Sequence, residues 1–277
     1  MVNRDLQKKQ AEAFSAMHRE KHMFVIPNAW DTASAYIYAK TGFSAAATSS
    51  AGIAYALGYP DGEKITFQDL LSAVEKMTDR VHIPVSVDFE RGYAEDPETV
   101  KENAKKLLEA GAVGFNIEDG FPDGTLGSLE LQLEKLKALV QLKAETGISF
   151  VINARTDLYW YGIGTGEERF KAAVERGNAF AEVGADCVFI PGAICRETVS
   201  ELVRNIGAPL NIILNGTFHD FKELDAAGVR RLSVGSGPVR YVLGRAIEMA
   251  QNLKDGNADD LLGTSFTYGK ANEYFSL

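Results

Sequence analysis

Along the chain, short runs of β-branched and small apolar residues alternate with longer stretches in which apolar positions recur every three or four residues. The short runs cover 24–27, 45–49, 84–88, 113–117, 149–153, 187–190, 211–214 and 232–235. Near-continuous apolarity over so few residues predicts strands buried on both faces, as parallel strands are. The longer stretches, 31–40, 67–80, 97–110, 129–146, 167–183, 197–205, 221–226 and 239–253, predict amphipathic helices. Punctuation agrees with this division. Asp96-Pro97 supplies a helix N-cap and a first-turn proline, with acidic Glu98 where the helix dipole favours it. Gly42, Gly111, Gly147, Gly184 and Gly228 each follow a helical stretch and precede a strand within a few residues.

Strand and helix thus alternate eight times, which predicts an α/β fold, a (β/α)8 TIM barrel, with a doubly wound open sheet as the competing architecture. An extra helix over 6–20 precedes the first strand and is placed to cover the bottom of the barrel. The expected organisation is an N-terminal helical segment (1–22), the barrel (23–253) and a C-terminal helical tail (254–277).

Composition narrows the class. At 277 residues, 45% apolar and 24% charged, the chain can bury one sizeable core. No apolar run approaches the roughly 18 residues of a membrane span, and the first twenty residues lack both a signal-peptide core and the acid-poor character of a transit peptide. A cytoplasmic location without a membrane partner is the expectation. Twenty-nine Lys and Arg against 38 Asp and Glu leave a net charge of −9, which excludes a nucleic-acid partner in the absence of a basic patch. Cys187 and Cys195 form no CxxC and have no second pair, so they are expected to be thiols and not a disulfide or zinc framework.

In a parallel barrel, chemistry sits at the C-terminal ends of the strands. Here those ends are polar: Asn28 and Asp31; Thr48 to Gly52, with Asp61 in the following loop; Asp88 and Glu90; Asn116, Glu118 and Asp119; Asn153, Arg155 and Asp157; Asn215 and Thr217. Asp88 and Glu90, two apart on an extended segment, would point the same way. Several carboxylates in one mouth repel one another unless a cation lies between them or their pKa values rise. Oxygen donors without His or Cys favour Mg2+ or Mn2+ over Zn2+. Taken singly, each acid could equally cap a helix or pair at the rim.

The strings TSSAGIAYALGYPDGE, VSVDFERGY, GFNIEDG and INARTD, in that order, resemble the isocitrate lyase and phosphoenolpyruvate mutase superfamily over about 27–235. The resemblance implies that Asp88, Glu90 and Glu118 hold Mg2+, directly or through water, with Asp61 beside the metal. It implies that Arg155 grips a substrate carboxylate. It further implies that backbone N–H groups around Ser49, Ser50 and Ala51 bind the carboxylate or a developing enolate oxygen, and that Asn215 and Thr217 close the far side. A tetramer of dimers that exchange their last helices is implied as well.

Two departures from the superfamily pattern bear on the reaction. Its lyases carry a Lys-x-Cys-Gly-His-type string after strand 4, whereas the loop from Asp119 to Ser128 holds no Cys, Lys or His. They also place a glutamate after strand 6, where this chain has Phe189-Ile190-Pro191-Gly192-Ala193. Many relatives have an aspartate in place of Glu90. Cleaving isocitrate-type substrates needs a titratable acid/base, whereas decarboxylating a small 2-oxo acid needs an electron sink, a carboxylate anchor and a proton source. The expected activity is therefore Mg2+-dependent C–C cleavage of a small 2-oxo or related carboxylic acid, in the manner of oxaloacetate decarboxylase. The alternatives are phosphonopyruvate hydrolase or mutase-type C–P chemistry, for which the loop lacks the Lys and Asn that hold a phosphoryl group, and a non-catalytic barrel that binds a 2-oxo acid.

Other features have simpler explanations. Gly162-Ile163-Gly164-Thr165-Gly166 and Gly235-Ser236-Gly237 lack phosphate-loop spacing and are expected to be turns. No strand ends in a lysine suited to a Schiff base. His219 and Cys195 fall near the mouth without partners, and Tyr93 and the run Tyr159-Trp160-Tyr161 are expected to pack the rim or line the pocket.

Overall fold

The computed structural model describes residues 3–276. Met1, Val2 and Leu277, which belong to the expected terminal segments, lie outside the described residues. The chain forms two compact units that divide between Gly235 and Ser236. The first begins with a helix, α1 (Arg4–Met17), followed by β1 (Phe24–Ile26), β2 (Asn28–Ala29), α2 (Thr32–Thr41), β3 (Ala46–Thr48), α3 (Ser50–Ala56), α4 (Phe67–Arg80), β4 (Val85–Asp88), α5 (Pro97–Glu109) and β5 (Gly114–Glu118). It continues with α6 (Leu129–Thr146), β6 (Val151–Arg155), α7 (Gly166–Glu182), β7 (Cys187–Phe189), α8 (Arg196–Asn205), β8 (Leu210–Ile213), α9 (Phe221–Ala226) and β9 (Arg231–Ser233).

All strands pair in parallel, in the order β1-β9-β8-β7-β6-β5-β4-β3-β2. The nine strands are the eight of the barrel, because β1 and β2 are one strand interrupted at Pro27. Proline has no N–H to give the ladder, yet its carbonyl accepts from Ala47 N at 2.9 Å. Phe24–Ile26 pairs with the last strand and Asn28–Ala29 with the next one along the chain, so the sheet returns on itself at Pro27.

The five glycines expected to end helices all have positive φ, between 61° and 107°, the left-handed conformation a side chain disfavours. Asp96 caps α5 by accepting from Thr99 N at 2.9 Å. The core fills with Ile26, Val85, Val87, Phe115, Ile117, Val151, Ile152, Val188, Ile212 and Leu232 from the strands, and with one apolar face of each helix. Beneath the barrel, Phe14 of α1 is fully buried. Gln7 anchors that helix, donating to Leu108 O at 2.6 Å and Ala112 O at 2.9 Å. Helix α3 was not expected from the sequence; Ser49 caps it by accepting from Gly52 N at 3.1 Å.

The second unit contains α10 (Gly237–Lys254), α11 (Asp259–Leu262) and α12 (Tyr268–Tyr274). The eighth barrel helix of the sequence reading is therefore grouped with the tail. Among the described residues no helix is long and apolar enough to cross a membrane.

Candidate active site

A cavity of about 60 Å³ opens at the C-terminal ends of the strands, lined by Asp61, Glu90, Glu118 and Arg155 together with Ser50 and Tyr161. Asp88 ends β4 immediately behind Ser50, its Oδ2 accepting from Ser50 N at 3.0 Å and Ser50 Oγ at 2.9 Å. Its backbone N–H is held by Thr48 Oγ1 at 2.8 Å, so two successive strand ends fix the carboxylate.

Glu90 reaches the mouth differently from the strand alternation expected of it. Strand β4 stops at Asp88, and Glu90 turns with φ at 49°. Tyr93 (54°) and Glu63 (53°) are the other described non-glycine residues with positive φ. All three meet: Glu90 Oε2 accepts from Glu63 N at 2.8 Å and Oε1 from Tyr93 Oη at 3.0 Å. Such backbone costs about 1–3 kcal/mol per residue and clusters where surrounding bonds over-determine it. Glu63 also pairs with Arg91 at 2.9 Å, and the Arg91 guanidinium lies 4.5 Å from the Phe121 ring centroid. Three loops are thereby joined over the cavity.

Burial is the largest force on the acids, and their mutual repulsion adds to it. It raises Asp61, with the charge of Asp88 adding to the effect. Glu90 is pushed up to about 8 by burial and then by Asp88, Asp61 and Glu63. Glu118 is raised well above the ordinary carboxylate range by burial, against the pull of Arg155. Burial works against the charge of Arg155 itself, but Asp157 and Glu118 more than offset it and raise its pKa.

The position of Arg155 follows from a relay of paired charges. Its Nη1 meets Glu118 Oε2 at 2.6 Å and its Nε meets Asp157 Oδ1 at 2.7 Å. Asp157 N donates to Asp119 Oδ1 at 2.9 Å, and Asp119 Oδ2 pairs with Arg176 of α7 at 2.9 Å. Arg176 also donates to Gly127 O at 3.1 Å, tying down the far end of the loop after β5. That loop folds on itself through Phe121 N to Thr125 O at 2.8 Å and Gly127 N to Asp119 O at 2.7 Å.

The donor set suits a hard divalent cation: every candidate ligand is a carboxylate oxygen, with Asp88 and Glu90 buried, Glu118 largely so and Asp61 more open to solvent. Among the described residues no three His, Cys, Asp or Glu side chains stand together in a metal-ligand cluster. Instead Asp88 is held by Ser50, Glu90 by Glu63 and Tyr93, and Glu118 by Arg155. By the chemistry of their donor atoms the residues fit a cation.

Of the N–H groups at 49–51, Ser49 donates to Ala29 O at 2.9 Å and Ser50 to Asp88, so those two are spent within the protein. Asn215 and Thr217 are not among the cavity residues. Asn215 Oδ1 instead accepts from Thr217 N at 2.8 Å and Phe218 N at 3.2 Å, closing its own loop. Sequence reasoning missed Glu63 and Arg91, for which spacing carries no signal, while Trp160 and Tyr161 do line the cavity. The glycine turns are engaged within the protein. Arg169 takes the carbonyls of Gly162 and Gly164, both at 2.7 Å, and Gly235 N donates to Asn28 Oδ1 at 2.9 Å. Cys195 is exposed, as is His219.

The family model for phosphoenolpyruvate phosphomutase matches residues 14–254. The chain belongs to this family. It is a member of the isocitrate lyase and phosphoenolpyruvate mutase superfamily, as the motifs around Asp88, Glu118 and Arg155 imply. An uncharacterized protein of Mycobacterium tuberculosis (strain CDC 1551 / Oshkosh) is 33% identical over 88% of this chain and 90% of its own length. A 2-methylisocitrate lyase of Halalkalibacterium halodurans is 28% identical over 74% of this chain and 67% of its own, and an oxaloacetate decarboxylase of Rhodopseudomonas palustris 28% over 73% and 70%. A crystal structure from Burkholderia cenocepacia J2315, provisionally assigned as a lyase/mutase, superposes with a TM-score of 0.91 at 32% identity, covering 99% of this chain and 98% of that one. The barrel is thus a family fold, and the family is one of lyases and mutases.

Proposed function

We propose that the protein is an Mg2+-dependent enzyme, with Mn2+ as a substitute, that cleaves a C–C bond of a small 2-oxo acid and acts most like an oxaloacetate decarboxylase. The observation that carries this reading is the small cavity lined by Asp61, Glu90, Glu118 and Arg155, with Asp88 behind Ser50. Relatives that include an oxaloacetate decarboxylase and 2-methylisocitrate lyases support it.

Asp88, Glu90 and Glu118 would hold the ion, with Asp61 beside it. When bound, it would supply the electron sink that stabilises negative charge as a bond to C3 breaks. Arg155 offers a fork to the substrate carboxylate, and that carboxylate competes with Glu118 for Nη1. The Ala51 N–H would add a further substrate contact, and Asn215 and Thr217 would bound the approach on the far side, outside the cavity itself. The folded loop from Asp119 to Ser128 holds no cysteine, lysine or histidine. Decarboxylation is the reaction that tolerates this, since the incoming proton can come from a water in the cavity. The missing lysine and asparagine also count against phosphoryl chemistry.

The test is Mg2+-dependent loss of oxaloacetate measured beside 2-methylisocitrate, malyl-type acids and phosphonopyruvate, with Asp88→Ala as control. Turnover of oxaloacetate abolished by Asp88→Ala supports the proposal. Turnover of phosphonopyruvate alone would replace it with C–P chemistry, and thermal stabilisation by 2-oxo acids without turnover would make the protein a binding barrel.

A further inference from the structure

Below the cavity, inside the barrel, lies a charge that the proposed reaction does not use. Arg231 of β9 is 0% exposed. Its Nε and Nη1 have no hydrogen-bond partner among the described residues, while Nη2 donates to Asn116 Oδ1 at 3.3 Å. The guanidinium carbon stands 5.6 Å from the centroid of the Phe14 ring. Burial pulls the Arg231 pKa down to about 10. Burying an ion without a carboxylate beside it is costly, so the position calls for a role beyond packing.

The role follows from donor and acceptor chemistry. A guanidinium only donates, so the amide of Asn116 must present its oxygen to Arg231. That same oxygen accepts from Asn153 Nδ2 at 2.7 Å. Asn153 in turn donates to Asn211 Oδ1 at 2.9 Å, and Asn211 is held by donating to Ile212 O at 2.7 Å and Arg231 O at 3.1 Å. With its oxygen engaged from below, Asn116 turns its NH2 toward the mouth, where Nδ2 meets Asp88 Oδ1 at 3.4 Å. Ser50 holds the other Asp88 oxygen.

We infer that Arg231 is a positioning residue, which acts through Asn116 to aim the Asp88 carboxylate from inside the barrel. The inference rests on the reading of Asp88 as a site acid. Outer partners of a metal-ligating carboxylate typically influence metal affinity by 10–100-fold, so losing this one is expected to weaken Mg2+ binding about tenfold.

The experiment compares the full-length protein with Arg231→Met, Arg231→Lys and Asn116→Leu. Three quantities are measured: the Mg2+ dissociation constant by calorimetry without substrate, kcat and KM for oxaloacetate, and the Asn116 side-chain amide resonances, assigned by their loss in Asn116→Leu. Arg231→Met, folded by circular dichroism, should shift the Asn116 resonances, weaken Mg2+ about tenfold and lower kcat with little change in KM. Arg231→Lys, which keeps a charged donor, should restore most of both. Unmoved Asn116 resonances with unchanged Mg2+ affinity in a folded Arg231→Met protein would overturn the inference. Should Arg231→Met not fold, wild-type Mg2+ affinity in Asn116→Leu would overturn it equally. A wild-type protein that neither binds Mg2+ nor consumes oxaloacetate would remove the functional reading, while the Asn116 resonances would still decide whether Arg231 orients the amide.

Discussion

Arg155 touches Glu118 and Asp157 through two different nitrogens, a geometry that a lysine ammonium cannot reproduce. Arg155→Lys is therefore expected to lower kcat/KM for a 2-oxo acid by about 100-fold or more, and to lower the thermal midpoint as well because a buried carboxylate loses its partner. Steady-state kinetics beside a melting curve check this. Glu90 makes a pH prediction of definite sign. Its pKa is raised from 4.5 to about 8 in the folded chain, by burial first, so the folded state binds its proton more tightly than the unfolded one. The corresponding stability is fully present below about pH 4.5 and is lost as pH rises through about 8. Metal-free protein should thus lose stability between about pH 4.5 and 8, by up to about 1.4 kcal/mol per pH unit for this group, and Glu90→Gln should flatten that part of the profile. Denaturant melts across the range would show it, and identical profiles for the two proteins would count against a proton on Glu90.

At the scale of the element, glycines set how closely the pieces approach. A Cβ on Gly120 would overlap Asp157 Oδ2 and lie 2.8 Å from Tyr161 Cε2. Gly120→Ala should push Asp157 off Arg155 and reduce both activity and stability, readable as a fall in kcat/KM together with a drop in Tm. Gly114 is the opposite case, since it meets α1 and not the cavity. A Cβ there would stand 2.9 Å from the Phe14 ring and 3.2 Å from Val151 O, and Gly114→Ala is expected to destabilise by about 1–3 kcal/mol with the activity of the remaining folded protein retained. Helices such as α4 and α6 were legible to the residue because their caps, periodicity and closing signals agree. Helix α3 was not, because seven residues beginning with Ser-Ala-Gly carry no periodicity and form a helix only where Ser49 caps them beside Asp88.

For the molecule as a whole, the second unit leaves Ile247 71%, Tyr241 68%, Leu262 84% and Tyr268 88% exposed. So many apolar side chains on a short segment mark an interaction surface, and a second copy of the chain is the proposed cover, with a tetramer as the expected assembly. Sedimentation should give a mass well above 30.1 kDa, and Ile247→Asp with Tyr241→Asp should lower it while leaving the circular dichroism of the barrel intact. A monomeric wild-type protein would refute the proposal.

Hydrophobic periodicity, helix caps and glycine placement are local properties, so the sequence alone determined the order of strands and helices, the barrel, and the acids and arginine at the strand ends. Pairing and burial are not local. Only the tertiary structure brought Glu63 and Arg91 over the cavity, turned Glu90 inward through a left-handed residue, and folded Asn215 back onto its own loop. It alone set Arg231 beneath Asp88, because a side chain's charge is visible in the sequence whereas its distance from another charge is created by the closing of the barrel.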